Sequence, residues 1–402
     1  MAARIPALVN PPLLVWAREE AGYSLETAAE RTGFAVEKLH AWETDEAKPT
    51  LRQAQALAKY YHRPFGVFFL PQPPSLPPLA AEYRHLPGIQ PGVESPELRL
   101  AIRVMSQRRE IALQLSGEMG TPVTDFSASV RLAERPVDAG RRLRSILGVT
   151  SQEQLDWRDE WQAWRRWREA VESAGVLVFQ FPKVSLNQVR GVSLLRFPLP
   201  AIGINSKETS AGARSFTLLH ELAHIALAGG QEEQVAQMET RDETMWKEVE
   251  RFAEEVASAA LVPEENLSGF LTRMSVPQDG WNLALVRKLA GAFRVTPLAM
   301  ATRLRSSGVL TWEGYRRWKQ EWDAYVATLK PRGGGFATPV EKALSRGGQP
   351  FAQLVLEALD ANRITAVDAS RYLDLRFDHV EALRHELRHG LGGRSSVGDD
   401  GE

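Results

Sequence analysis

Two histidines lie four residues apart in the stretch RSFTLLHELAHIAL (214–227), and a glutamate directly follows the first. Residues i and i+4 share one face of an α-helix, so His220 and His224 can direct two imidazole nitrogens at one metal ion. Glu221 lies beside them, close enough to accept a proton from a water that the metal activates. The apolar residues around the motif predict a buried helix, in which unpartnered ionisable groups are costly. The spacing therefore predicts the metal site of a hydrolase; the alternative is a buried helix that contains two histidines without a metal.

A hydrolytic zinc site needs a third protein ligand and one open coordination position. The stretch WKEVERFAEEVASAALVP (246–263) predicts a second helix, which could supply this ligand through Glu250. Glu254 lies one turn further along the same face and is the alternative ligand. The chain has no cysteine, so nitrogen and oxygen atoms must hold any metal.

Three short segments before the histidine motif predict a small β-sheet, because they are rich in Val, Ile and Phe and are bounded by Gly, Pro and Asn. These segments are GVLVFQFP (175–182), RGVSLLRF (190–197) and PAIGINS (200–206). Helices are predicted at 97–119 and 136–174, and again after the motif as far as about residue 330. In the helix at 136–174 we expect one core-facing stripe of tryptophans, formed by Trp157, Trp161, Trp164 and Trp167.

The composition is that of a folded protein with more than one domain. The chain has 402 residues, of which 44% are hydrophobic and 25% are charged, which excludes a disordered or fibrous protein. The net charge of -1 predicts no strong general attraction to nucleic acid. No window approaches eighteen consecutive apolar residues and the N-terminal stretch lacks an export signal, so we expect a cytoplasmic protein that does not enter a membrane.

Local composition predicts where the chain divides. The proline-rich LPQPPSLPP (70–78) cannot be helical and favours an extended spacer, and the glycines of KPRGGGFATP (330–339) predict a flexible joint. Three further helices are predicted between about 350 and 390, followed by a disordered tail. We therefore expect five segments: 1–70, 71–135 with the linker and a connecting helix, 136–270, 271–330 and 331–402.

Two of these stretches together resemble a known signature. RSFTLLHELAH followed by ERFAEEVASAALVP is similar to the ImmA/IrrE family of zinc metallopeptidases, and GVSLLRFPLPAIGIN resembles that family's sheet. The resemblance covers about 137–305 and implies an α+β, mostly α-helical chain with a zincin-like metallopeptidase core. It further implies one Zn²⁺ per chain, held by His220, His224 and Glu250, with Glu221 as the general base. The family often has Asn at the position of Glu254.

The N-terminal stretch AREEAGYSLETAAERTGFAVEKLHAWE resembles the helix-turn-helix of Xre-type repressors over about 12–65. In such domains the second helix of the pair enters the major groove of DNA. Here that helix is predicted at 35–43, and its candidate contact residues for DNA or a protein partner are Glu37, Lys38, His40 and Thr44. Residues 1–70 contain eight Lys or Arg and eight Asp or Glu. This balance leaves both DNA binding and protein docking or dimerisation open, because DNA-binding modules normally have a basic face.

A second H-E-x-x-H occurs near the C-terminus, as HELRH at 385–389. It lies in a polar helix with no apolar surround and no evident third ligand, so we interpret it as a coincidence of spacing. Basic residues lie nearby and are interpreted as a solvated surface, with contact to a partner or nucleic acid as the alternative; they are Lys342, Arg371, Arg376, Arg384 and Arg388.

Three functional hypotheses follow. The first is a regulatory zinc endopeptidase fused to a helix-turn-helix module, which cleaves a specific protein of the repressor or antitoxin class in a stress, phage or toxin–antitoxin response. The second is a DNA-binding regulator whose metal domain is a sensor or docking platform with little peptidase activity. The third is an antitoxin-like binding protein, and a homodimer is compatible with each. The acidic stretch 229–243 could cover the cleft and keep the chain latent.

Overall fold

The computed structural model describes residues 5–74, 94–229, 243–274, 280–329 and 337–389. The chain forms two compact units, Met1–Val104 and Met105–Glu402. Residues 75–78 of the predicted spacer, most of the acidic stretch and of the glycine-rich joint, and the whole of the C-terminal tail lie outside the described residues. Among the described residues, no helix is long and apolar enough to cross a membrane.

The first unit contains the predicted helix-turn-helix. Ser24 accepts a hydrogen bond from the Thr27 N–H at 3.1 Å, and Gly33 ends the same helix with a φ of 72°, a conformation that glycine adopts without strain. Two hydrogen bonds from Arg18 to Glu43, of 2.8 and 2.9 Å, join the first and third helices. The described elements are α1 (Pro11–Glu20), α2 (Leu25–Thr32), α3 (Val36–Glu43), α4 (Leu51–Tyr60) and a 3-10 helix (Phe65–Phe69).

The next helices are α5 (Pro96–Met119), α6 (Pro136–Ile146), α7 (Ser151–Asp156) and α8 (Glu160–Ser173). The helix predicted at 136–174 is thus divided into three. Gly148 has a φ of 65°, which interrupts the chain after α6. Thr150 and Asp159 then begin new helices, accepting hydrogen bonds from backbone N–H groups at 3.2 and 2.7 Å. These caps stabilise their helices by about 1 kcal/mol each.

The predicted tryptophan stripe is correct for three residues and wrong for the fourth. Trp157, Trp164 and Trp167 are no more than 4% exposed, and the rings of Trp157 and Trp167 pack edge to face at 5.6 Å. Trp161 is 46% exposed. Because α8 begins only at Glu160, Trp161 lies in its first turn, outside the part of the helix that packs on the core.

The three predicted strands form one sheet in the order β1-β3-β2, with β1 (Leu177–Phe181), β2 (Gly191–Leu194) and β3 (Ala201–Asn205). The central strand β3 is parallel to β1 and antiparallel to β2. All residues of the three strands are buried. The sheet has β1 and β2 as its two edges.

The helices after the sheet are α9 (Ala211–Ala228), α10 (Glu243–Leu261), α11 (Glu264–Met274), α12 (Leu283–Phe293), α13 (Pro297–Ser306) and α14 (Trp312–Thr328). Helix α9 packs against β2, β3 and α8, and α10 packs against both α9 and α6. One large apolar core includes buried side chains from α6 to α14. The helix pair α9–α10 lies within this core.

The C-terminal helices pack against the edge of the sheet that β1 forms. The ring of Phe351 meets that of Phe179 edge to face at 6.2 Å, and Arg108 donates a hydrogen bond to the Arg346 carbonyl at 2.9 Å. The three predicted helices are present, and a fourth precedes them that the sequence analysis missed. They are α15 (Pro339–Gly347), α16 (Gln349–Asp360), α17 (Ala366–Leu373) and α18 (Val380–His389).

Candidate metal centre

The histidine motif forms the middle of helix α9. Ser210 caps this helix by accepting a hydrogen bond from the Ala213 N–H at 3.2 Å, and Gly229 ends it in a left-handed conformation. The helix is buried on nearly all sides, with His224 only 3% and Glu221 only 6% exposed. Polar side chains at such positions need partners.

Helix α10 provides Glu250 as the partner of the two histidines. The Nε2 atoms of His220 and His224 are 3.1 Å apart. The two carboxylate oxygens of Glu250 lie 3.3 Å from His220 Nε2 and 3.2 Å from His224 Nε2. These three residues are a group whose ligand atoms could hold one metal ion.

The spacing of these atoms fits zinc. In a tetrahedral site with ligand bonds of about 2.0–2.1 Å, neighbouring ligand atoms lie about 3.3 Å apart. The distance between the two Nε2 atoms and the two distances from them to the Glu250 oxygens approach this value. Two imidazoles and a carboxylate are also ligands that zinc accepts, and three protein ligands leave one position for water or substrate.

The electrostatics of the cluster favour an ionised carboxylate. Burial alone would raise the pKa of Glu250, but hydrogen bonds from His220 and His224 outweigh it and lower that pKa. For His220, burial acts to lower the pKa, while the hydrogen bond to Glu250 and the negative charge of Glu221 raise it. Glu250 is therefore held in the charged form that a metal ligand requires.

Two parts of the chain are similar to known families. Residues 171–305, which include all three candidate ligands, match the model of peptidase family M78, described as an IrrE N-terminal-like domain. Residues 14–68 match a model described as a helix-turn-helix. The chain contains both domains. No curated protein and no solved structure matches it.

The M78 domain places Glu221 directly under the edge strand β2. A Cβ added to Gly191, the first residue of β2, would lie 2.9 Å from Glu221 Oε1 and 2.5 Å from Thr217 Cγ2. Any other residue at this position would displace one of these groups. The sequence analysis missed Gly191, since only the packing of β2 on α9 reveals its role.

The ring of His220 is oriented by packing. It stacks on Phe216, with ring centres 6.4 Å apart and planes inclined by 22°. Its Nδ1 is buried and has no hydrogen-bond partner among the described residues.

The two acids on α10 also differ: Glu250 points at both histidines, whereas Glu254 is exposed and is not in the group that could hold a metal.

Helix α6, which precedes the M78 domain in the chain, positions α10. A Cβ added to Gly140 would lie 2.9 Å from Val256 O, so the two helices approach as closely as glycine allows. Arg144 donates hydrogen bonds to Ala260 O at 2.8 Å and to Gln154 at 2.6 Å, and so satisfies a carbonyl at the end of α10. Burial lowers the pKa of Arg144 to about 10.

The second H-E-x-x-H has different surroundings. His385 is exposed, and the side chain of His389 is not among those described. Among the described residues, the group that could hold a metal includes neither His385 nor Glu386.

The helix-turn-helix domain exposes the four predicted contact residues. Glu37, Lys38, His40 and Thr44 are all exposed on α3 or at its end, while Leu39 between them is buried. The Lys38 ammonium lies 5.4 Å from the ring centre of Trp42. These positions are compatible with contact to DNA or to a protein.

Proposed function

We propose that this protein is a regulatory zinc-dependent endopeptidase, which cleaves a specific protein partner of the repressor or antitoxin class. The observation that supports this most directly is the convergence of His220, His224 and Glu250 beside the buried carboxylate of Glu221, within an M78 domain. We assign the three ligands and Glu221, as general base, on this geometry. A stress, phage or toxin–antitoxin response is the setting that we propose for the cleavage.

The chemistry follows from the positions of these side chains. His220, His224 and Glu250 would hold Zn²⁺, which would supply Lewis-acid activation of water and of a peptide carbonyl. Glu221 accepts the proton of the attacking water and delivers it to the leaving amine. Gly191 has no side chain, which allows strand β2 to pack closely on Glu221 without displacing its carboxylate. Strand β2 is an edge of the sheet, and an edge strand has backbone groups that an extended peptide can pair with.

Co-expression tests the proposal. The chain is produced with the product of a neighbouring gene, once as wild type and once as Glu221→Gln, and the partner is analysed by mass spectrometry. We expect a single cut with the wild type and a rate lower by about 10²- to 10⁴-fold with Glu221→Gln, which keeps its zinc. Equal processing of the partner by both proteins would refute the peptidase.

A DNA-binding regulator is the second candidate, favoured by the exposed Lys38, His40 and Thr44 on the helix-turn-helix domain. In that case the metal domain is a sensor or a docking platform. Fluorescence anisotropy with the DNA upstream of the gene, at low and at high salt, distinguishes DNA recognition from protein docking by α3. Binding at low salt that weakens steeply with salt supports DNA recognition. Lack of binding at low salt supports a protein-docking role for α3.

A further inference from the structure

A cavity of about 910 Å³ separates two parts of the second unit. Helix α8, strand β1 and the start of α9 form one side of it, which we call the core wall, and α15, α16 and α18 form the other, which we call the C-terminal wall. None of the three candidate metal ligands lines the cavity. Small-molecule sites in proteins measure roughly 300–1,000 Å³, so the cavity has the size of a ligand site.

The core wall has one net positive charge. Arg165, Arg168 and Arg214 line it together with Glu169 and Glu172. Arg168 binds Glu172 at 2.9 Å, and the hydrogen bonds of Arg214 go to neutral oxygens. Arg165 is half-buried and forms no hydrogen bond or ion pair with another described residue. Its guanidinium is therefore available to an anionic group of a ligand.

The C-terminal wall is acidic. Glu341 and Glu386 line it, and no described lysine or arginine does. Glu341 accepts a hydrogen bond from the Thr338 N–H at 2.6 Å, whereas Glu386 forms no hydrogen bond or ion pair with another described residue. With His379 and His385 neutral, this wall has two negative charges. The Glu386 carboxylate is therefore available to a cationic group.

Opposite charges thus lie on the two walls. The lining as a whole has four carboxylates and three guanidinium groups, so it does not favour an anion. A core wall that is positive and a C-terminal wall that is negative instead match a ligand with an anionic end and a cationic end.

The size of the cavity indicates the length of such a ligand. A sphere of this volume is about 12 Å across, and an extended peptide spans at most about 3.3–3.6 Å per residue, so three or four residues reach from wall to wall. Trp161 lines the core wall, is 46% exposed, and has the Arg214 guanidinium 5.3 Å from its ring centre. An indole held in this way can pack against an aromatic side chain.

We propose that this cavity binds an extended peptide of three or four residues with free termini. Its carboxylate contacts Arg165, its ammonium group contacts Glu386, and an aromatic side chain packs on Trp161. Proteolysis yields peptides of this kind, but their binding here requires neither the metal nor cleavage. A bound peptide contacts both walls and therefore stabilises their packing.

Calorimetric titration of the full-length protein with the peptides Ala-Phe-Ala and Ala-Phe-Ala-Ala tests this proposal. The protein is the Glu221→Gln variant, which should not cleave the peptides during the titration. We expect at least one peptide to bind with a Kd below about 300 μM. Acetylation of its N-terminus or amidation of its C-terminus removes one terminal charge, and each should weaken binding at least about tenfold. The Kd should be the same after zinc is removed with a chelator, so the result does not depend on the metal site.

Variants of the two walls assign the ends of the peptide. Arg165→Gln should weaken binding of the free peptide at least about tenfold and leave binding of the amidated peptide unchanged. Glu386→Gln should weaken binding of the free peptide to the same extent and leave binding of the acetylated peptide unchanged. Arg158→Gln and Glu381→Gln are matched controls, because both side chains are exposed and neither lines the cavity, and they should bind as the unsubstituted protein does.

Three results would each overturn the proposal: no binding of either peptide at about 2 mM, blocked peptides that bind as tightly as free ones, or Arg165→Gln and Glu386→Gln proteins that bind as their controls do. Neither substitution removes a hydrogen bond or ion pair between described residues. Both variants should therefore fold normally, which circular dichroism checks.

Discussion

The chain contains the same five-residue pattern twice, HELAH at 220–224 and HELRH at 385–389, with very different surroundings. In the first, the second histidine is 3% exposed and a carboxylate from another helix lies 3.2 Å from its Nε2. In the second, His385 is exposed, and no described acid forms a metal-binding group with it. Two histidines at i and i+4 therefore form a metal-binding site only where a second helix supplies a third ligand.

The fold holds the first motif in place from two sides. Helix α9 is packed against strand β2, with Gly191 in contact with Glu221, and α10 is fixed by Gly140 and Arg144 of α6. These contacts hold both ligand-bearing helices rigidly. Helix α18 instead lies at the surface with Glu381, His385 and Arg388 exposed.

The largest effect is expected from removing a histidine of each pattern. His224→Ala should reduce bound zinc from one ion per chain to near zero, because two protein ligands hold zinc far more weakly than three. His385→Ala should leave the zinc content unchanged. Elemental analysis of both purified variants, with circular dichroism to check folding, makes the comparison. Equal zinc content in the two variants would contradict the assignment.

A smaller effect should distinguish the two acids of α10. Glu250→Gln should weaken zinc binding at least about 100-fold, since an amide is a poor replacement for a charged ligand. Glu254→Gln, one turn away, should bind zinc as the wild type does. Competition with a chromophoric chelator measures both affinities. If Glu254→Gln shows the larger loss, the third ligand is misassigned.

A still smaller effect is expected at the strand above the site. Gly191→Ala forces a methyl group against Glu221 and Thr217, and should lower the cleavage rate roughly 10- to 100-fold while zinc remains bound. Gly269→Ala is a matched control, because an added Cβ there meets nothing within 4 Å. Rates are measured on the partner identified by co-expression. The same rate in both variants would show that Gly191 does not position the general base.

The smallest effect is expected at Arg144 of α6, which contacts the end of the ligand-bearing helix α10. Arg144→Leu leaves Ala260 O and Gln154 Oε1 without their donor and should lower the free energy of unfolding by about 2–4 kcal/mol. Arg141→Leu, on the exposed face of the same helix, should change it by less than about 0.5 kcal/mol. Urea denaturation of the zinc-loaded proteins compares the two. Equal free energies of unfolding in the two variants would show that Arg144 does not hold α10 in place.

Much of the fold was predictable because its signals are local. The abundance of Val, Ile and Phe in three short segments, bounded by Gly, Pro and Asn, indicated the three strands between 177 and 205. The metal-binding group was predictable for the same reason, since His220 and His224 are one helical turn apart. The prediction of Glu250 as the third ligand required the further expectation that two helices meet.

Long-range packing was not predictable from one sequence. Trp161 belongs by spacing to a core-facing stripe, and only the start of α8 at Glu160 explains why it is exposed. The sequence does not distinguish Gly191 from other glycines at the start of a strand, because its role depends on the packing of β2 on α9. Helix α15 was missed, although Thr338 and Glu341 form a capping box that is visible in the sequence.

The central claim is that one zinc ion lies between α9 and α10. Anomalous diffraction at the zinc edge, from crystals of the zinc-loaded protein, tests it most directly. The account predicts one peak within about 2.0–2.2 Å of His220 Nε2, His224 Nε2 and a Glu250 oxygen. A crystal with no peak there, or with its only peak at 385–389, would contradict it.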